Sequence, residues 1–223
     1  MQHDSEPRKL TSHERSAGQP WNASYCGAAP PPWEIGRVQP AIERLLKREQ
    51  IGTDVLDAGC GTGENALYLA SLGRRVLGID VAEAAIASAR EKAELRGVDA
   101  RFLVHDALRL ERLGESFDAV FDCGLFHAFD ADERRVYARG LRHVLRVRAA
   151  VYLLCFADEG TNIGPHPVSR AEIRQVFGQE QAWNTVEIVP ETILTLFENP
   201  EASGWLACIR RGTSGSENQI GGR

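Results

Sequence analysis

This 223-residue chain predicts an α/β fold, a mostly parallel sheet with helices on both faces. Apolar β-type runs alternate with helical patterns across its middle. The run Val151-Tyr152-Leu153-Leu154-Cys155-Phe156 is continuously apolar, as a strand buried on both faces must be. Two other runs each end in an acid, Asp57 and Asp80, and the first leads into Gly59-Cys60-Gly61-Thr62-Gly63. Strands whose tips carry acids and glycines before a helix are the layout of a ligand site at the carboxyl edge of an open sheet.

In chain order, a helix over Gln39 to Glu49 precedes a strand from Asp54 to Asp57. The pattern then gives a helix over Glu64 to Leu72, a strand from Arg75 to Asp80, a helix over Glu83 to Arg96 and a strand from Ala100 to His105. A fourth strand runs from Phe117 to Asp122, followed by a helix over Ala131 to Arg146, a fifth strand from Ala150 to Phe156 and a helix over Ser169 to Phe177. Val186 to Val189 and Trp205 to Arg210 close the sheet. Residues 1–20 are rich in charge, Ser, Gln and Pro and are expected to be disordered. Residues 21–212 form one domain, with 21–40 as a candidate lid, and 213–223 read as a flexible tail.

With 43% hydrophobic residues the chain can bury a sizeable core without disulfides. Its net charge of -5 argues against nonspecific nucleic-acid binding, which needs a basic surface. The arginines from Arg134 to Arg148 read as a solvated helix face. Five widely spaced cysteines without a C-x-x-C pair suggest neither a disulfide framework nor a zinc site, and the histidines lack metal-ligand spacing. There is no apolar span or signal-peptide core, so a cytoplasmic protein acting on a small molecule, without a membrane or nucleic-acid partner, is expected. Oligomeric state is not legible.

The glycines let ligand atoms approach the main chain. A carboxylate at Asp57 would repel a pyrophosphate but attract the ammonium and sulfonium charges of S-adenosylmethionine. Asp80 stands where a ribose-binding acid is expected. The structural alternatives are a helix N-cap for Asp57 and a solvated loop acid for Asp80.

Asp57-Ala58-Gly59-Cys60-Gly61-Thr62-Gly63, Gly78-Ile79-Asp80 and Phe117-Asp118-Ala119-Val120-Phe121-Asp122 together resemble a class I S-adenosylmethionine-dependent methyltransferase, over Trp21 to Arg211. Pro31-Pro32-Trp33-Glu34-Ile35-Gly36-Arg37-Val38-Gln39-Pro40 and Cys123-Gly124-Leu125-Phe126-His127 resemble the small bacterial, notably mycobacterial, thiopurine and heterocyclic-compound methyltransferase-like group. The resemblance implies a Rossmann-like seven-stranded sheet whose final strand lies antiparallel beside the fifth. It also implies S-adenosylmethionine as cofactor, S-adenosylhomocysteine as product, and methyl transfer to an O, S or N nucleophile of a small aromatic or heterocyclic acceptor.

On that reading the cofactor contacts are Trp33, Gly36, Asp57, Gly59, Gly61, Asp80, Val81, Asp106, Ala107, Asp122 and Cys123. Asp106 and Ala107 stand where the family clamps adenine, although Asp106 could simply cap a turn. Trp33 could instead pack the first helix on the sheet. His127 is a candidate general base, or a structural histidine bonded to the backbone. Phe126, Phe129, Phe156 and His166 are candidate acceptor walls, with Trp183 a further aromatic; the alternative places these rings in the core and His166 in solvent. One departure is visible: the family's Pro-Gly-Gly-like turn before the fifth strand is replaced by Arg146-Val147-Arg148-Ala149-Ala150, so the chain must bend without glycine or end its helix differently. The rival functions are a non-catalytic S-adenosylmethionine-binding regulator and an NAD-dependent oxidoreductase. The latter is disfavoured because Gly59, Gly61 and Gly63 do not fit G-x-G-x-x-G.

Overall fold

The computed structural model describes residues 8–212. Two short helices, α1 (Ser12–Ala17) and α2 (Trp21–Ser24), precede α3 (Pro40–Arg48). There follow β1 (Asp54–Ala58), α4 (Glu64–Ser71), β2 (Arg75–Asp80), α5 (Glu83–Arg96), β3 (Arg101–Val104) and β4 (Phe117–Cys123). After these come α6 (Ala131–Val144), β5 (Leu145–Phe156), α7 (Arg170–Val176), β6 (Trp183–Leu194) and β7 (Glu201–Arg211). The seven strands form one sheet in the order β3-β2-β1-β4-β5-β7-β6. The first five are parallel, and β7 runs antiparallel between β5 and β6.

Side chains alternate across each strand and so supply two cores. Leu56, Leu77 and Val120 face Tyr137, Leu141 and Ile173 of α6 and α7, while Val55, Val76 and Phe121 face Ile42, Leu67 and Ile86 of α3, α4 and α5. The strand order places the tips of β1 and β4 side by side, with Asp57 opposite Phe121 and Ala58 opposite Asp122. Successive crossovers leave in opposite directions from β1 and β4, which opens a crevice there for a ligand.

Residues 8–20 correct the expectation of disorder. Thr11 and Glu14 form a reciprocal capping box at the start of α1, and Glu14 is buried with a bidentate contact to Arg8 at 2.7 and 2.5 Å. Ser12 joins the helix to Glu133 of α6. A polar composition did not prevent order because the polar groups bond one another and the domain. Residues 1–7 and the expected tail 213–223 lie outside the described residues. Among the described residues no helix is long and apolar enough to cross a membrane.

The glycine-free connection before β5 is solved by a bulge. Phe117 pairs with Leu145 and Ala119 with Ala150, so the longer stretch on β5 loops out, with Arg148 at φ 67°. A side chain in this left-handed region costs about 1–2 kcal/mol. Arg148 is exposed, so its replacement forfeits no packing. Arg148→Gly should stabilise the fold by roughly 1 kcal/mol, raising Tm by about 2–4 °C. A melt with Tm unchanged or lowered would show that the arginine compensates for its backbone.

Candidate active site

The cavity opens at the carboxyl edge of β1, β2 and β4. Gly59 and Cys60 donate their N–H groups to Ile79 O, both at 2.9 Å, which turns the chain sharply after β1. Gly61 stands at φ 53°, and a Cβ there would collide with Glu34 Oε1. Asp80 accepts from Gly61 N–H at 3.0 Å through one oxygen and from Ala82 N–H at 2.8 Å through the other. It thereby fixes the glycine loop and its own turn while keeping a lone pair on each oxygen. Asp106 accepts from Leu108 N–H at 2.9 Å, so the capping alternative describes one of its oxygens.

Of the expected ligand contacts, Trp33, Gly59, Gly61, Asp80, Val81, Asp106, Ala107 and Cys123 line this cavity, together with His127, Phe129, Phe156 and His166. Asp57, Asp122, Gly36 and Phe126 do not, and Trp183 is also elsewhere. Asp57 is 1% exposed and accepts from the Ala66 N–H in the first turn of α4, whose N-cap, Gly63, has no side chain to offer. The N-cap alternative is the observed one, supplied from a neighbouring strand. Asp122 is fully buried and accepts from Leu125 and Phe126 N–H at 3.0 and 3.1 Å, shaping the turn that presents His127. Gly36 lines a separate outer cleft beside Pro31 and Lys92. Phe126 is sealed in the core under Arg134 and against Phe177, which also carries Trp183 edge-on.

Asp57 keeps one buried oxygen, Oδ2, without a hydrogen-bond partner, whereas Asp122 has the buried Tyr137 hydroxyl beside it. Burial pushes each carboxyl up to about 7, with the Asp122 charge adding to the effect on Asp57. Asp80 is also raised by burial, with Glu34 adding to it. The base of the cavity is therefore a concentration of acids with too few cations, and a positively charged ligand would relieve it. Arg37 is the one arginine or lysine in the wall, and no carboxylate partners it among the described residues. A ligand that carries both positive charge and a carboxylate would complement the acids and Arg37 together.

His127, the candidate base, lines the cavity. Burial lowers its conjugate acid to about 3, and Nδ1 accepts the Phe156 N–H at a long 3.5 Å. The neutral ring then carries its proton on Nε2, which makes it a donor. It stacks on Phe156 with ring centroids 4.6 Å apart.

The sequence reading missed several wall residues. Glu34 accepts from both Thr62 N–H and Thr62 Oγ1, tying the 21–40 segment to the glycine loop. Gln39 pairs with Leu194 through both amide atoms, at 2.8 and 3.0 Å, and so ties the segment to β6. Trp33 donates to Tyr25 Oη at 3.0 Å and meets Trp21 edge-on. Arg37 and Gln39 stood within the quoted Pro31 to Pro40 motif, whereas Phe197 lies in the β6–β7 hairpin, where no local pattern pointed to a site.

Fold and site together define an α/β protein with an acid-lined crevice at the tips of β1, β2 and β4 that suits a cationic ligand. A methyltransferase-domain model matches residues 55–148. The chain is 35% identical over 185 residues to the 2-heptyl-1-hydroxyquinolin-4(1H)-one methyltransferase of Mycobacteroides abscessus, covering 76% of this chain and 78% of that protein. It is 30% identical over 172 residues to a probable thiol methyltransferase 2 of Arabidopsis thaliana, covering 75% and 74%. A solved structure from work on the conversion of a disulfide bond into a thioacetal group during echinomycin biosynthesis matches with a TM-score of 0.77 and 37% identity, over 86% of this chain and 91% of that one. The chain belongs to the S-adenosylmethionine-dependent methyltransferases, and S-adenosylmethionine is its cofactor. The oxidoreductase and regulatory-protein alternatives give way to that assignment.

Proposed function

We propose that this enzyme methylates an O, S or N nucleophile on a small, planar aromatic or heterocyclic acceptor. The observation that carries the proposal is the aromatic share of the cavity lining: Trp21, Trp33, Phe129, Phe156 and Phe197, with the rings of His13, His127 and His166. Flat apolar rings select a flat apolar ligand by area and stacking. The hydroxyquinolone and thiol named for the two relatives are consistent with this class.

When bound, S-adenosylmethionine supplies a methyl group already activated on sulfur. The protein's work is to align two ligands and exclude water, which can supply about 7 kcal/mol or more of barrier reduction. Asp80 would hold the ribose hydroxyls, Asp106 with the Ala107 main chain the adenine, and Arg37 the methionine carboxylate. Val81 and Cys123 would flank the cofactor, and Gly59 and Gly61 would let it reach the main chain. Asp57 acts at one remove, by charge and by capping α4. The 21–40 segment serves as the lid, held down by Glu34 and Gln39, and His127 offers its Nε2 proton to the acceptor. We place the enzyme in the cytoplasm, in keeping with five unpaired cysteines.

The test is to incubate the protein with S-adenosylmethionine and a panel of phenols, thiophenols and N-hydroxy heterocycles, with aliphatic alcohols and amines as comparators, and to measure S-adenosylhomocysteine formation. Turnover confined to the aromatic members is expected. Equal or better turnover of aliphatic acceptors would refute the proposal.

A further inference from the structure

His13 and His166 lie 153 residues apart in sequence, yet both line the cavity, with His13 Nδ1 and His166 Nε2 3.0 Å apart. Two neutral imidazoles at that distance share one proton in a hydrogen bond, and one outer nitrogen of the pair is left with a free lone pair. We propose that His13 and His166 act as one unit that accepts the proton of the acceptor during methyl transfer. This rests on the aromatic-acceptor reading above.

Both rings are held in place. His13 stacks on Trp21, with centroids 4.4 Å apart and planes 9° from parallel, and rides on the capped helix α1. His166 sits between Pro165 and Pro167 at φ 53°, a backbone strain that costs on the order of 1 kcal/mol or more and persists where the surroundings enforce it. Each of the other histidines and carboxylates of the wall has at least one atom bonded within the protein, His105 to Arg109 O and Glu64 to Lys92 and Arg96 among them. His127 accepts a main-chain N–H, Glu34 is bonded to Thr62, and Asp80 and Asp106 hold main-chain turns.

The step balances without a further reagent. The carbon–sulfur bond of the cofactor breaks as the bond from carbon to the acceptor atom forms, giving S-adenosylhomocysteine. The proton on the acceptor atom passes to the free ring nitrogen of the pair. The shared hydrogen bond lets the proton leave from the other ring, and His166 is exposed to water. The ionisable groups facing the pair are Glu14, held by Arg8, and His127; Arg15, Asp130 and Glu133 pair with one another at the outer end of α1. Burial and the His166 ring both lower the pKa of His13.

The test compares two acceptors of similar shape. A phenol ionises near pH 10, as tyrosine does, and must lose its proton during the reaction, whereas a thiophenol is already largely ionised. His13→Gln, His166→Gln and the double variant should each lower kcat on the phenol by about 100-fold. Their kcat on the thiophenol should change by less than about threefold, and the double variant should be no worse than the poorer single variant, as for residues acting as a unit. Equal losses on both acceptors would reduce the pair to a lid contact and overturn the proposal. A wild-type enzyme that methylates neither compound would overturn the acceptor reading itself, and the pair's role with it.

Discussion

Asp80→Ala should raise the Kd for S-adenosylmethionine by two to three orders of magnitude. Asp80 is asked to do two things. It already accepts from Gly61 and Ala82 N–H, which fixes the loop after β1 and the start of α5. It also lines the cavity, where a ribose diol would give two further bonds. A hydrogen bond to a charged group is worth about 1.5–3 kcal/mol, and 1.4 kcal/mol is tenfold in affinity, so losing the ribose bonds alone accounts for most of the expected change. S-adenosylhomocysteine carries the same ribose and should lose affinity by a similar factor. Calorimetry with both ligands decides the matter. An unchanged Kd removes Asp80 from the site, and a loss confined to S-adenosylmethionine would mean that Asp80 senses the sulfonium instead.

Asp80 was legible because its place is set by local chemistry: a short apolar strand, an acid at its tip and a helix beyond it. At Asp57 the same pattern left two readings open. A carboxylate after β1 can face a ligand or cap the next helix, and the choice depends on which turn of α4 lies within reach, a tertiary fact. Phe126 and Phe129 were read alike, and both are buried in the same core, but on either side of the short helical turn at Phe126–Ala128 only Phe129 also borders the cavity. The order of residues 8–20 had a visible signal, Thr11 followed three places on by Glu14, which is the capping-box pattern. Composition outweighed it in the reading because a six-residue helix is not stable alone; the contacts with Glu133 and His166 that hold α1 are far away in sequence. For the same reason the His13–His166 pair had no signature at all.

The second large effect concerns pH. Asp57 and Asp122 are buried at adjacent strand tips, Asp57 with one oxygen unpartnered, and burial raises both to about 7. In the unfolded chain each would titrate near 3.8. The folded state therefore binds more protons between about pH 4 and 7, so without ligand the protein should lose stability as pH rises through that window and level off above it. Cofactor binding should run the other way. S-adenosylmethionine carries one positive charge more than S-adenosylhomocysteine, so its affinity should climb by about tenfold from pH 6 to 8 as the acids ionise, with proton release on binding below pH 7. The affinity for S-adenosylhomocysteine should change much less.

Asp57→Asn separates the two effects. The amide oxygen can still accept from Ala66, so α4 keeps its cap, while the buried charge is gone. The variant should melt higher than wild type at pH 8 without ligand and bind S-adenosylmethionine about tenfold or more weakly, with a flatter pH profile. Thermal melts and calorimetry at pH 6 and 8 check both halves. Parallel pH profiles for the two sulfur ligands, or a variant that binds S-adenosylmethionine as tightly as wild type, would mean that the acids serve the turn and the cap alone. The expected outcome would instead make Asp57 a residue that weakens the empty fold and strengthens the loaded one, so that the discrimination between substrate and product cofactor comes from a carboxylate that touches neither.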